Sequence, residues 1–158
     1  MRTSLGLILA VLLILSSKVW ADNGAAGPSP ETDLPPQAVI QILVDALRTN
    51  DPKAGDQGIA TVWRFAAPNN KASTGPLPRF TAMLKGGFGE MLNHIKSEFG
   101  PIEIEDDVAH QAVLLITPTG DEVAYLFRLA RQKTGEFEGM WMTEAVFPIA
   151  SKKPGNAI

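Results

Sequence analysis

The sequence predicts an α+β domain: N-terminal helices packed on one face of a curved antiparallel sheet. Three observations carry that expectation. Apolar residues recur with helical spacing as far as Phe99. The period changes to two from Ile102 onward. The alternating runs are joined by short turns containing Gly, which make sequential strands antiparallel neighbours.

The elements follow in chain order. Residues 1–21 read as a signal peptide. Leu5–Leu15 is apolar, long enough for a signal core and short of the ~20 residues of a bilayer span, and Ala21 offers a small residue for cleavage. The expected location is secreted or periplasmic, with a membrane tether only if the leader stays uncleaved. Residues 22–33, "DNGAAGPSPETD", read as a flexible linker. Residues 34–149 are long enough for one α+β domain and short for two. Residues 150–158 read as a flexible tail.

Within the domain, Asp33 is placed to cap a first helix, with Pro35 and Pro36 in its first turn. Val39, Ile40, Leu43, Val44 and Leu47 form its apolar stripe. Asp56 is placed to cap a second helix carrying Ile59, Val62, Trp63 and Ala66, which Pro68 ends. "NNKASTG" reads as a loop. Thr74 or Gly75 then caps a short helix through Leu77, Phe80 and Leu84, ended by Gly86 and Gly87. Phe88, Met91, Leu92 and Ile95 repeat the helical spacing, and "FGP" closes the helical half. "IEIEDDV", "HQAVLLIT", "EVAYLFRLARQ" and "FEGMWMTEAVF" are strand candidates.

Composition narrows function more than it names it. Losing residues 1–21 takes Lys+Arg from 14 to 12 against 17 Asp+Glu, so the net charge moves from −3 to −5. Such a chain is a poor nonspecific nucleic-acid binder, and no nucleic-acid partner is expected. No cysteine is present, which excludes disulfides, thiol catalysis and Cys-based metal sites. His94 and His110 are the only histidines, nothing has metal-ligand spacing, and "KGGFGE" lacks the strand and Lys-Ser/Thr pair of a phosphate loop. No metal or cofactor is expected.

If Thr119-Gly120 and Thr134-Gly135 are two-residue hairpin loops, the faces of the sheet follow. Leu114 then faces Tyr125, Phe127 faces Met142, and Tyr125 faces Glu144. The inner face carries His110, Ala112, Leu114, Ile116, Val123, Tyr125, Phe127, Leu129, Met140, Met142, Glu144 and Val146. Glu144, Tyr125 and His110 are the catalytic candidates, because a carboxylate beside a phenol among apolar walls could exchange protons. Tyr125 as a core hydrogen-bonding residue, with Glu144 and His110 at the rim, is the plainer alternative. Phe127 and Met142 line the expected pocket, with Asn69, Asn70 and Lys71 at its rim. The outer face carries Gln111, Val113, Leu115, Leu126, Arg128, Trp141, Thr143 and Phe147. That is too apolar for a solvated face, so Leu115, Leu126, Arg128 and Trp141 form an expected homodimer surface, with Arg128 opposite Trp141.

Four segments, "QILVDALRTND", "WRFAAPNNKASTGPLPRFTAML", "MLNH…SEFGPI" and "GMWMTEAVFPI", resemble the family known as domain of unknown function 4864. The likeness runs from about Pro36 to Pro148. It implies the nuclear-transport-factor-2-like superfamily, a cone of helices against a curved sheet. Members include isomerases, dehydratases and hydrolases as well as non-catalytic modules, and none of their catalytic motifs matches here. The expected function is an exported, dimerising binding module whose apolar cone takes a small apolar ligand. The alternative is a small cofactor-independent lyase, isomerase or hydrolase using Glu144 and Tyr125.

Overall fold

The computed structural model describes residues 27–152, so the leader, residues 22–26 of the linker and the last residues of the tail lie outside it. Four α-helices precede a four-stranded antiparallel meander. The helices are α1 (Pro36–Arg48), α2 (Gln57–Arg64), α3 (Pro68–Thr74) and α4 (Leu77–Gly87). The strands are β1 (Lys96–Glu105), β2 (Val108–Ile116), β3 (Glu122–Arg131) and β4 (Trp141–Lys152), in that spatial order. The α+β expectation holds.

The helix α1 forms where its stripe predicts. Val39, Ile40, Leu43, Val44 and Leu47 are all buried, each burial worth about 1.5–3 kcal/mol relative to exposure. Its cap is Pro35 rather than Asp33, and Pro36 takes the first helical position, where no donor is required. Asp56 does precede α2, but its side chain does not cap it. Its carboxylate receives Asn50 Nδ2 at 2.9 Å and Lys85 Nζ at 2.6 Å, which hold it below the usual carboxylate range. Asn50 is itself buried, and its Oδ1 accepts the Ile59 N–H at 3.2 Å. Asn93, in a left-handed conformation, closes the end of α1. Its N–H donates to Leu47 O at 3.0 Å and its Nδ2 to Asn50 O at 2.7 Å.

Three helical expectations are corrected. "NNKASTG" is mostly α3, with Pro68 starting a helix rather than only stopping one. Gly86 and Gly87 lie inside α4, whose cap is Pro76. Phe88–Ile95 is not helical: a 3₁₀ turn at Gly89–Met91 gives way to extended Leu92 and left-handed Asn93. "FGP" lies inside β1 at a bulge between Phe99 and Ile102. Pro101 is tolerated there because β1 is an edge strand. Gln111, opposite the bulge, donates Nε2 to Gly100 O at 2.8 Å.

The hairpins correct the register. Thr117 pairs with Asp121 around a three-residue loop, with Gly120 at φ 84°. Tyr125 therefore faces Val113, not Leu114. One residue of slip reverses β2: Gln111, Val113 and Leu115 are buried, while His110, Ala112, Leu114 and Ile116 face outward. The β3 to β4 connection is longer than two residues, with Gln132 paired to Met140 across it. Tyr125 thus faces Pro148, Phe127 faces Val146, Arg128 faces Ala145, and Trp141 faces Arg131. The strand β4 also runs through Lys152, so residues 150–152 belong to the sheet rather than to the tail.

The α1–α2 contact depends on Gly58. A Cβ there would sit 2.1 Å from Ala46 O, whereas Gly86 and Gly87 have open space around them. Gly58→Ala is expected to destabilise the domain by about 1–3 kcal/mol through overpacking. Gly86→Ala is expected to stabilise it by about 0.5–1 kcal/mol through helix propensity. Urea denaturation of the two variants beside the parent checks both signs.

Candidate functional site

An apolar cavity of about 220 Å³ opens between the helices and the free edge of β4. Leu47 and Val62 line it from α1 and α2, Asn70 and Thr74 from α3, and Phe80 and Met83 from α4. Phe88 and Met91 follow from the turn, Phe127 from β3, and Thr143–Val146 from β4. Ala66 lies at the corner between α2 and α3.

That corner is fixed to the sheet. Thr143 N–H donates to Phe65 O at 2.8 Å, and Ala67 N–H donates to Thr143 O at 2.9 Å. Asn70 Nδ2 adds a bond to the same carbonyl at 3.1 Å. Phe65, Ala66 and Ala67 are all buried, so these bonds form away from competing water. Trp63 and Phe80 then pack against each other across α2 and α4, their rings tilted by 46° with centroids 5.2 Å apart.

The catalytic candidates are not brought together. Tyr125 is buried against Phe88 at 6.0 Å, and burial with the nearby Glu90 raises its pKa. Glu144 sits at the register shift opposite Arg128 and Leu129, four positions from Tyr125's partner Pro148. It lines the cavity and receives Gln132 Nε2 at 3.5 Å. His110 lies on the outer face, between Glu103 and Arg128. No Glu144–Tyr125 acid–base pair is formed.

Of the rim candidates, Asn70 lines the cavity and Asn69 is exposed beside it. Lys71 turns away: its Nζ donates to Arg64 O at 3.3 Å and lies over the rings of Phe137 and Trp63, at 5.0 and 5.7 Å. Burial lowers its pKa, partly opposed by Glu136. Phe127 is a wall, while Met142 is fully buried outside the cavity lining. The missed residue is Thr143, assigned to the outer face by the register error. It is 2% exposed, and its Oγ1 has no hydrogen-bond partner.

Among the dimer-surface candidates, Leu115 is fully buried, because β2 is reversed. Leu126 and Arg128 face outward as expected, and Trp141 is half-buried against the core cluster. Among the described residues no group of three or more His, Asp or Glu is placed to hold a metal ion. No described helix is long and apolar enough to cross a membrane.

Fold and site together define an α+β domain with an apolar side cavity edged by a few polar groups. The chain belongs to the family described as domain of unknown function (DUF4864), whose model matches residues 31–155. No curated protein and no solved structure matches it.

His94 is buried, and its Nδ1 must donate to Met91 O at 2.8 Å, because a carbonyl only accepts. Nε2 is then a buried acceptor without a partner. Burial, as the largest cause, depresses the pKa below the ordinary 6.5, so stability is present above that value. It is lost as pH falls through the depressed folded-state pKa. Urea midpoints should drop between pH 7.5 and 5.0, and His94→Gln should flatten that part of the profile.

Proposed function

We propose that this domain is a non-catalytic binding module for a small apolar molecule held in the cavity between helices and sheet. The observation that carries the reading is a cavity of about 220 Å³ walled by Leu47, Val62, Phe80, Met91, Phe127 and Val146. For scale, an engineered apolar cavity of about 150 Å³ accepts benzene. One substituted ring or a short branched chain suits this space, and the few polar groups at one edge would orient it. The separation of Glu144 from Tyr125 favours binding over the lyase, isomerase or hydrolase alternative. The superfamily likeness, with ligand space between helices and curved sheet, agrees with this placement. Export to a secreted or periplasmic location rests on the leader-like residues 1–21.

Dimerisation through the sheet is part of the same proposal, with its surface redrawn. Ala112 pairs with Leu126 and Leu126 with Phe147, making one apolar row across three strands on the outer face, with the pair Leu114–Ala124 in the row beside it. Phe147 is 48% exposed there. Arg128 and Glu103 lie in an adjacent row of opposite charges, which would let two copies meet self-complementarily.

Saturable shifts of the Met83 and Met91 methyl resonances are expected on titration with toluene. Ala66→Leu, which adds volume to the cavity wall, should abolish them while the melting transition persists. Absence of any saturable shift up to the solubility limit would refute the binding reading. For the surface, sedimentation should give a dimer that Leu126→Glu converts to monomer; a monomeric parent at high concentration would remove that part.

A further inference from the structure

The polar edge of the cavity is rich in acceptors. Thr143 has both backbone groups bonded, yet its buried Oγ1 has no partner. A polar group left in that state costs about 1–3 kcal/mol, and Oγ1 is closed to solvent, so the acceptors that reach the cavity come from its neighbours. Asn70 commits an amide N–H to Thr143 O, which leaves Oδ1 as the acceptor on that side chain. Thr74 donates its hydroxyl hydrogen to Asn70 O at 2.8 Å, so its oxygen too has only lone pairs to offer. Glu144 adds a carboxylate that accepts a long 3.5 Å bond from Gln132.

Among the described residues no lysine, arginine or histidine lines this cavity to balance Glu144. Lys71, on the same helix as Asn70 and Thr74, is held against Arg64 O and two rings instead. A wall with one carboxylate, neutral acceptors and no cation selects by charge as well as by shape.

We propose that the ligand is a small apolar primary amine. Its ammonium sits against Glu144 and Asn70 Oδ1, and its hydrocarbon part against Phe80, Met91 and Phe127. An ammonium brings three donors and no acceptor, which suits a wall of acceptors. An apolar carboxylate of the same size would meet Glu144 with like charge and offer no donor. This inference rests on the binding reading above and adds the ligand's chemical class.

The test is a set of near-isosteric probes, benzylamine, toluene and benzoate, titrated into the full mature chain and followed by the methyl resonances of Met83 and Met91. Benzylamine should bind about tenfold or more tighter than toluene, as a charge-assisted hydrogen bond implies, and benzoate should not saturate. Glu144→Gln should weaken benzylamine about tenfold and leave toluene unchanged. Equal affinity for amine and toluene, tight benzoate binding, or unchanged amine affinity in Glu144→Gln would overturn the amine assignment while leaving the apolar-ligand reading intact. If no probe saturates, both are overturned. A melting curve on each variant shows that the fold is retained.

Discussion

The fold turns on the backbone of Thr143. Its N–H and C=O both point away from β3 and bond the corner between α2 and α3 at Phe65 and Ala67. Those bonds, with the Asn70 amide on the same carbonyl, fix the helical layer to the free edge of β4. They also satisfy the polar groups of a buried corner that no regular sheet or helix would pair. Without them Phe65 would bring a bare carbonyl and Ala67 a bare amide into an apolar interface. With them, α3 is held at a set distance from the sheet, and the space beneath it stays open.

A second fixed point lies at the opposite end of α2. Asn50, Asn93 and Asp56 bond the end of α1, the start of α2 and the approach to β1 into one polar junction, to which Lys85 adds α4. Gly58 lets α2 approach α1 until only a hydrogen fits against Ala46 O. The helices are therefore held at two ends by directional bonds and a backbone contact. Collapse onto the cavity would have to break one of these. Packing density elsewhere is not the constraint; the placement of the helix ends is.

Local pattern and long-range register separate what could be read in the sequence. The stripe of α1 and the buried face of α2 follow from periodicity alone, and both are where the pattern puts them. The helix α3 was hidden because Pro68, Asn69, Asn70, Ser73 and Thr74 are poor helix formers, and its support is the tertiary bond from Asn70 to Thr143. The run Phe88–Ile95 imitated a helix because short apolar spacings do not distinguish one from a turn, and Asn93's left-handed conformation is stabilised by partners in α1. In the sheet, Thr119-Gly120 signalled a hairpin correctly but not its length. One extra loop residue moved Leu115 from surface to core. A longer second connection and a shift beside Glu144 carried Thr143 to the cavity. The cavity's wall Phe127 and its edge residues Asn70 and Glu144 were legible as residue types. Their grouping with Thr143 was not, because it depends on register that no single strand encodes.

The cavity has an energetic consequence of its own. Voids left by removed side chains destabilise by roughly 24 cal/mol per Å³, so about 220 Å³ would forfeit up to roughly 5 kcal/mol of packing if it were sealed and empty. That would be a large part of the 5–15 kcal/mol by which a domain of this size is usually stable. The cavity is not sealed, since Met83 lines it and is 38% exposed, and solvent there reduces that loss. Water, however, gains little from walls of Phe, Leu, Val and Met. Among the described lining side chains, Asn70, Thr74 and Glu144 offer it bonds. A ligand with an apolar body and one donating end would replace poorly bonded water along most of the wall and pair with those acceptors. Its binding energy would then appear directly as folding stability, since the unfolded chain has no such site. The same geometry that holds α3 off the sheet thus couples occupancy of the cavity to the stability of the α2–α3 corner.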